Sequence, residues 1–231
     1  MENQIKQFEI VEKELKKYLG NESSVIIPDT IEIIGDNAFL YCDKLTSITI
    51  PNTVREIKAS AFEGCYNLQN IDLPDSITTI GEKCFRNCSS LIHIRLPNKL
   101  KYLENATFSM CSSLTDIVLP ETLKIIFESV FFSCSELKNI IIPDKVQTIR
   151  KNAFCNCKKL KTIYLPKNLD FMGENVFTDC RSLSILCEAA YKPINWENIH
   201  YDYYGGWNCG CPVQWGVNKK ILPDLVNMLN L

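Results

Sequence analysis

Histidine is nearly missing from this chain of 231 residues: it occurs at His93 and His200 and nowhere else. General acid–base and nucleophilic catalysis call for a positioned base, and histidine fills that role most often. A glycine-rich phosphate loop and a zinc-protease signature are missing as well. No apolar run approaches the roughly 18 residues that a membrane-crossing helix needs. Neither sign of charge dominates: 25 basic against 27 acidic residues leave a net charge of −2, which gives no global attraction to nucleic acid or an anionic membrane. The stretch from Met1 to Gly20 carries Glu2, Glu9, Glu12 and Glu14 and lacks the central apolar block of a secretory signal peptide. That makes the cytoplasm the default location, with secretion or the cell surface left open should a leader have been removed. These absences point away from an enzyme and call for no cofactor.

What the chain has is a ruler. Proline stands at Pro28, Pro51, Pro74, Pro97, Pro120, Pro143 and Pro166, in steps of 23 residues. Cysteine keeps that step at Cys42, Cys65, Cys88, Cys111, Cys134, Cys157 and Cys180. Phenylalanine precedes each cysteine by three positions (Phe39, Phe62, Phe85, Phe108, Phe131, Phe154, Phe177), and leucine follows it by three (Leu45 through Leu183). A fixed period in this length range is the signature of a solenoid, in which each repeat buries its apolar face only against its neighbours. Twelve cysteines suggest disulfides in a small secreted protein, yet seven of them hold one repeat position, where a free thiol packs as a small hydrophobe.

The copy Ile-Pro-x-x-Val-x-x-Ile-x-x-x-Ala-Phe-x-x-Cys-x-x-Leu-x-x-Ile-x-Ile resembles the BspA-like leucine-rich repeat family over about residues 25–188. The resemblance implies an α/β leucine-rich repeat solenoid that serves as a binding scaffold, with ligands that differ between members. It also raises a surface adhesin as a rival reading, as in members that carry export signals.

Three segments follow. Residues 1–24 form an N-terminal cap, expected to be a helix because Ile5, Phe8, Val11, Leu15 and Tyr18 keep three-and-four spacing before Gly20. Residues 25–188 hold seven repeats, each from one proline to the next. Leu45, Ile48 and Ile50 alternate as the inward side of a short strand that Pro51 ends. Val54 and Ile57 mark a second, shorter strand, and about one helical turn is expected from Phe62 to Cys65. The position after Ile57 accepts Gly35, Lys58, Gly81, Glu104, Phe127, Arg150 and Gly173, so it requires no positive φ. Residues 189–231 read as a C-terminal cap rich in tryptophan (Trp196, Trp207, Trp215) with a short helical tail from Ile221 to Leu231. Self-association of a purely structural module through that apolar tail is a further alternative.

Two places could carry function. Cys187, Cys209, Cys211 and His200 offer the three thiolates and one imidazole of a tetrahedral zinc site; packed free thiols and a Cys187–Cys211 disulfide compete with that, and the reading assigns no metal. The outward positions of the longer strands are the stronger candidate. They bring Asp72, His93, Arg95, Asp116, Val118, Ile141, Lys161 and Tyr164 to one face. Val118, Ile141 and Tyr164 form an apolar run on adjacent copies with a charged rim, the composition of a protein or peptide contact. At such an outward position His93 suits ligand contact better than general-base chemistry.

Overall fold

The computed structural model describes residues 7–196 and 208–218. Each 23-residue period makes one coil of a solenoid with three sides. In Ser47–Thr49 the central Ile48 is buried and its neighbours are exposed, the two-residue alternation of a strand packed on one face. Such strands stack in parallel as a front sheet, first Ser24–Ile26, Ser47–Thr49, Asn70–Asp72 and His93–Arg95, then Asn139–Ile141, Thr162–Leu165, Ser184–Cys187 and Val213–Gln214. The repeat-to-repeat register is one period, as in Asn70↔His93 and Ile140↔Ile163. A back sheet is built from two-residue strands, Ile33–Ile34, Glu56–Ile57 and Thr79–Ile80 in one ladder and Tyr102–Leu103, Ile125–Ile126, Thr148–Ile149 and Phe171–Met172 in another.

The third side is a column of turns, where the sequence suggests one helical turn. Two residues per coil take left-handed backbone there: Asn37, Ser60, Lys83, Ala106, Ser129, Asn152 and Asn175 at one position, and Tyr41, Gly64, Asn87, Met110, Ser133, Asn156 and Asp179 at the other. Between and at these two positions every second N–H points at the next coil. Asn37, Phe39 and Tyr41 donate to the carbonyls of Ala59, Ala61 and Glu63 in the next coil at 3.0, 2.7 and 2.8 Å. The same three bonds recur at each of the six junctions between the seven coils, at 2.7–3.0 Å throughout. A helix would satisfy its own backbone and leave nothing to join the coils on this side.

No α-helix occurs among the described residues; one 3-10 turn, Ile194–Trp196, is the whole helical content. The fold is therefore a parallel β-solenoid of the leucine-rich repeat type rather than α/β. The expected N-terminal helix is replaced by an antiparallel hairpin of β1 (Phe8–Val11) and β2 (Glu14–Tyr18). Its Leu15 pairs with Ile34, and Gly35 N–H donates to Leu15 O at 2.9 Å. A bare sheet edge needs backbone partners, which a strand provides and a helix cannot. Helical spacing misled because Phe8, Leu15 and Tyr18 are also the buried positions of the hairpin, while Val11 is exposed; Ile5 lies outside the described residues.

At the other end the front sheet gains Val213–Gln214 beside Ser184–Cys187. The described residues do not form the expected tryptophan-rich lid. Trp196 is buried and its ring lies 6.2 Å from that of Trp215, but Trp207 and the tail from Ile221 fall outside the described residues.

The core runs down the middle as stacked ladders. Phe39 through Phe177 form a continuous pile with ring centroids 5.0–5.9 Å apart, and Tyr18 of the hairpin continues it at 5.1 Å from Phe39. Beside it, the thiols of Cys65, Cys88, Cys111, Cys134, Cys157 and Cys180 donate to the carbonyls of Phe39, Phe62, Phe85, Phe108, Phe131 and Phe154 at 3.0–3.2 Å. Cysteine is thus a small apolar side chain with one donor to spend on the neighbouring coil, which alanine or valine would lack.

Candidate functional site

The front sheet presents its outward residues in three columns, set by the strand alternation. In the column after each buried central residue, Ile26, Thr49, Asp72, Arg95 and Val118 are exposed, Ile141 is half-buried and Tyr164 is fully buried. Seven of the eight candidates therefore remain open on the face to some degree, and Tyr164 does not. Its hydroxyl lies 3.4 Å from the carbonyl of Val217, in the returning C-terminal segment just past its strand Val213–Gln214. The apolar run Val118–Ile141–Tyr164 is therefore cut short. Sequence periodicity could not show this, because a non-periodic segment does the covering.

What stays exposed is differently distributed. Val118 is 56% exposed, Ile92 on the preceding coil 38%, and Ile26, just ahead of the first coil, 62%. Ile26 stands one period before Thr49 in the same column, a position the repeat ruler could have supplied. His93 Nδ1 lies 3.3 Å from Asp116 Oδ1, and Asp116 also accepts a bond from the Thr115 hydroxyl at 2.8 Å. Arg95 folds back on its own face, donating to Leu73 O and to Asp75, each at 2.8 Å. Asp75 in turn accepts from the Asn98 N–H at 3.0 Å, and these two donors hold its carboxyl below the usual carboxylate range. Lys161 is exposed at the C-terminal side. The face thus pairs its charges locally, His93 with Asp116 and Arg95 with Asp75.

The three zinc candidates among the described residues are not brought together. Cys187 is buried in the front sheet, Cys209 lies 3.3 Å from the Thr178 hydroxyl, and Cys211 points at the carbonyl of Cys180 at 3.6 Å. Among the described residues no three His, Cys, Asp or Glu side chains are placed to hold a metal, and His200 lies outside them. Cys187 and Cys211 are free thiols, with burial raising Cys187 to about 12 and Cys211 to about 11. The apolar tail proposed for self-association also lies outside the described residues. No described helix is long and apolar enough to cross a membrane.

A stacked parallel solenoid with a polar, locally paired sheet face and an isolated apolar centre is the build of a leucine-rich repeat scaffold. A family profile described as BspA type leucine rich repeat region matches residues 9–137 and 101–189 in 6 copies, so the chain belongs to that family. It is similar to a leucine-rich repeat protein of T. pallidum at 31% identity, with a TM-score of 0.75, over 78% of this chain and 89% of that one. A leucine-rich repeat protein of Eubacterium ventriosum matches at 26% identity and TM-score 0.68, over 84% of this chain but 50% of the other. One from Bacteroides ovatus matches at 25% identity and TM-score 0.54, over 87% and 64%. No curated protein matches the chain. Family and fold are typical of binding and adhesion proteins and are generally non-enzymatic.

Proposed function

We propose that the chain is a non-enzymatic scaffold that binds a protein or peptide on its front sheet, centred on Val118. The observation that supports this is Val118, 56% exposed, with half-buried Ile141 one period on in the same column, on a face that also carries His93, Asp116, Arg95, Asp72 and Lys161. An apolar centre with a charged rim excludes water where contact is made and lets the rim set orientation and partner choice. Tyr164 drops out of the contact surface, and its place in the reading is structural. The repeats at 25–188 supply the working surface, with the segments on either side closing its ends. Val118→Glu and Ile141→Lys should each abolish capture of a partner by the immobilised protein, while Ile194→Lys, an exposed apolar residue off this face, should not. Unchanged capture by both face variants with normal folding would refute the assignment.

A further inference from the structure

Three strings of hydrogen bonds tie each coil to the next: one on the front sheet, one on the back sheet and one down the turn column. At the junction between coils 74–96 and 97–119 the two sheet strings let go together. On the back, Arg55, Thr78, Lys124, Gln147 and Asp170 each donate to the coil before them at 2.8–2.9 Å, but Lys101 has no such bond to Thr78. Lys58, Gly81, Phe127, Arg150 and Gly173 repeat the pattern one step along, at 2.8–2.9 Å, and Glu104 alone lacks it. The back sheet accordingly divides between Thr79–Ile80 and Tyr102–Leu103.

On the front, residues 116–118 form no strand, and the sheet divides after His93–Arg95. Leu73 N–H bonds Arg95 O at 3.1 Å and Ile142 N–H bonds Tyr164 O at 3.0 Å, whereas Leu96 and Leu119 lack the equivalent bonds. Across the junction Thr115 N–H to Ile92 O is stretched to 3.4 Å, and this side is also held by Ser113 N–H to Ser89 O at 3.2 Å, at the strand's approach, and by the side-chain contact of His93 with Asp116 at 3.3 Å. The front ladder is also thin between Ser47–Thr49 and Asn70–Asp72, where Ser47↔Asn70 is the one registered pair, but there the back sheet is intact. Only at the 74–96/97–119 junction do both sheets open.

The turn column does not open. Lys83, Phe85 and Asn87 donate to Asn105, Thr107 and Ser109 at 2.8, 2.9 and 2.9 Å. Phe85 and Phe108 still stack at 5.6 Å, and the Cys111 thiol still reaches Phe85 O at 3.1 Å.

A cleft of about 540 Å³ lies in the back-face gap, lined by Thr78, Thr79, Lys101, Tyr102 and Glu104 among others. Glu104 stands where the preceding copy has Gly81 and the next has Phe127, and its carboxyl is pushed up by burial and by Glu82. On the front, Asp116 is the acidic residue of its column, and it draws on the Thr115 hydroxyl beside it instead of extending a strand.

We infer that this junction is a built-in flexing joint: the solenoid halves on either side swing about the turn column, and the front face changes curvature at His93–Asp116 as they do. A three-sided column held on one side and released on the other two has one soft bending direction, about the held side. The joint lies beside Val118, so it rests on the scaffold reading only for its use and not for its existence.

Hydrogen exchange read by mass spectrometry on the whole protein tests it. Peptides spanning 96–104 and 115–120 should exchange about tenfold or more faster than their equivalents at 142–150 and 161–166, while amides at 83–87 and 106–110 stay protected. Spin labels at Glu32 and Asp170, both on the back side, should give a broader distance distribution than labels at Asp43 and Arg181 on the turn edge. Equal protection of the central and outer strands would overturn the joint. So would loss of protection in the turn amides together with the strands, which would mean local unfolding of the whole coil, and so would equal distance distributions. Failure of partner capture by the Val118 and Ile141 variants bears on the scaffold reading alone and leaves these measurements standing.

Discussion

Truncating Phe108 tests whether the aromatic pile, and not the strands alone, holds the solenoid together. Phe108 is fully buried and has a ring on both sides, Phe85 at 5.6 Å and Phe131 at 5.7 Å. Its backbone N–H to Val130 O at 3.0 Å and its carbonyl, which accepts the Cys134 thiol at 3.2 Å, would survive the change. Phe108→Ala therefore removes side-chain packing and little else. A buried Phe→Ala change costs about 3–5 kcal/mol, part transfer and part cavity, because flanking coils joined by turn ladders cannot collapse into the space. Each ring pair contributes about 0.5–1.5 kcal/mol of that beyond its area. Phe177, at the end of the pile, has one ring neighbour among the described residues, Phe154 at 5.9 Å. Phe177→Ala should thus cost less than Phe108→Ala by roughly 1 kcal/mol, one ring pair. Urea unfolding followed by circular dichroism gives both values, with the dependence on urea concentration compared to confirm that the transitions expose similar surface. A loss below about 1.5 kcal/mol for Phe108→Ala, well under the range for a buried ring, would refute the argument. So would a larger loss for Phe177→Ala.

Three further outcomes are expected. Ala106 is a non-glycine residue at φ 55, so Ala106→Gly should stabilise the protein by about 1 kcal/mol in the same assay; Gly64→Ala should destabilise it, since its φ is 72 and a Cβ there would collide with the Tyr41 ring. Burial raises Cys42 and Cys155 to about 11, so their alkylation, followed by intact mass, should be slow at neutral pH and speed up about tenfold per pH unit towards that value, with Cys88, Cys111 and Cys134 unmodified unless the protein unfolds. The Glu104 carboxyl sits above its unfolded value, so the folded state binds the proton more tightly and stability should fall as pH rises from the ordinary glutamate value through the raised one; Glu104→Gln should flatten that part of a pH series of thermal unfolding midpoints, and an unchanged slope would rule Glu104 out as its source.

The 23-residue ruler alone determined the solenoid, its phase and its core. Phase follows from the ruler because a one-residue slip would turn Ile48, Ile71 and Ile94 out to water, so the inward set is legible from spacing. The same phase placed Val118, His93, Arg95 and Asp116 on one face, where the structure has them. Tertiary structure decided what lies outside the period. Phe8, Leu15 and Tyr18 suit a helix and a hairpin equally, and the unpaired edge at Ile33–Ile34 selects the hairpin. Tyr164 continues an exposed column by spacing, yet it is buried, with its hydroxyl against Val217 of a returning, non-repeating segment. The left-handed turn positions were partly written in recurring asparagine at Asn37, Asn87, Asn152, Asn156 and Asn175, yet lysine, alanine, methionine and tyrosine also stand there because three bonds per junction hold the backbone in place. The cysteine–proline ruler fixes which residues face out, while the edges, ends and open junction are set by which backbone groups find a neighbour in space.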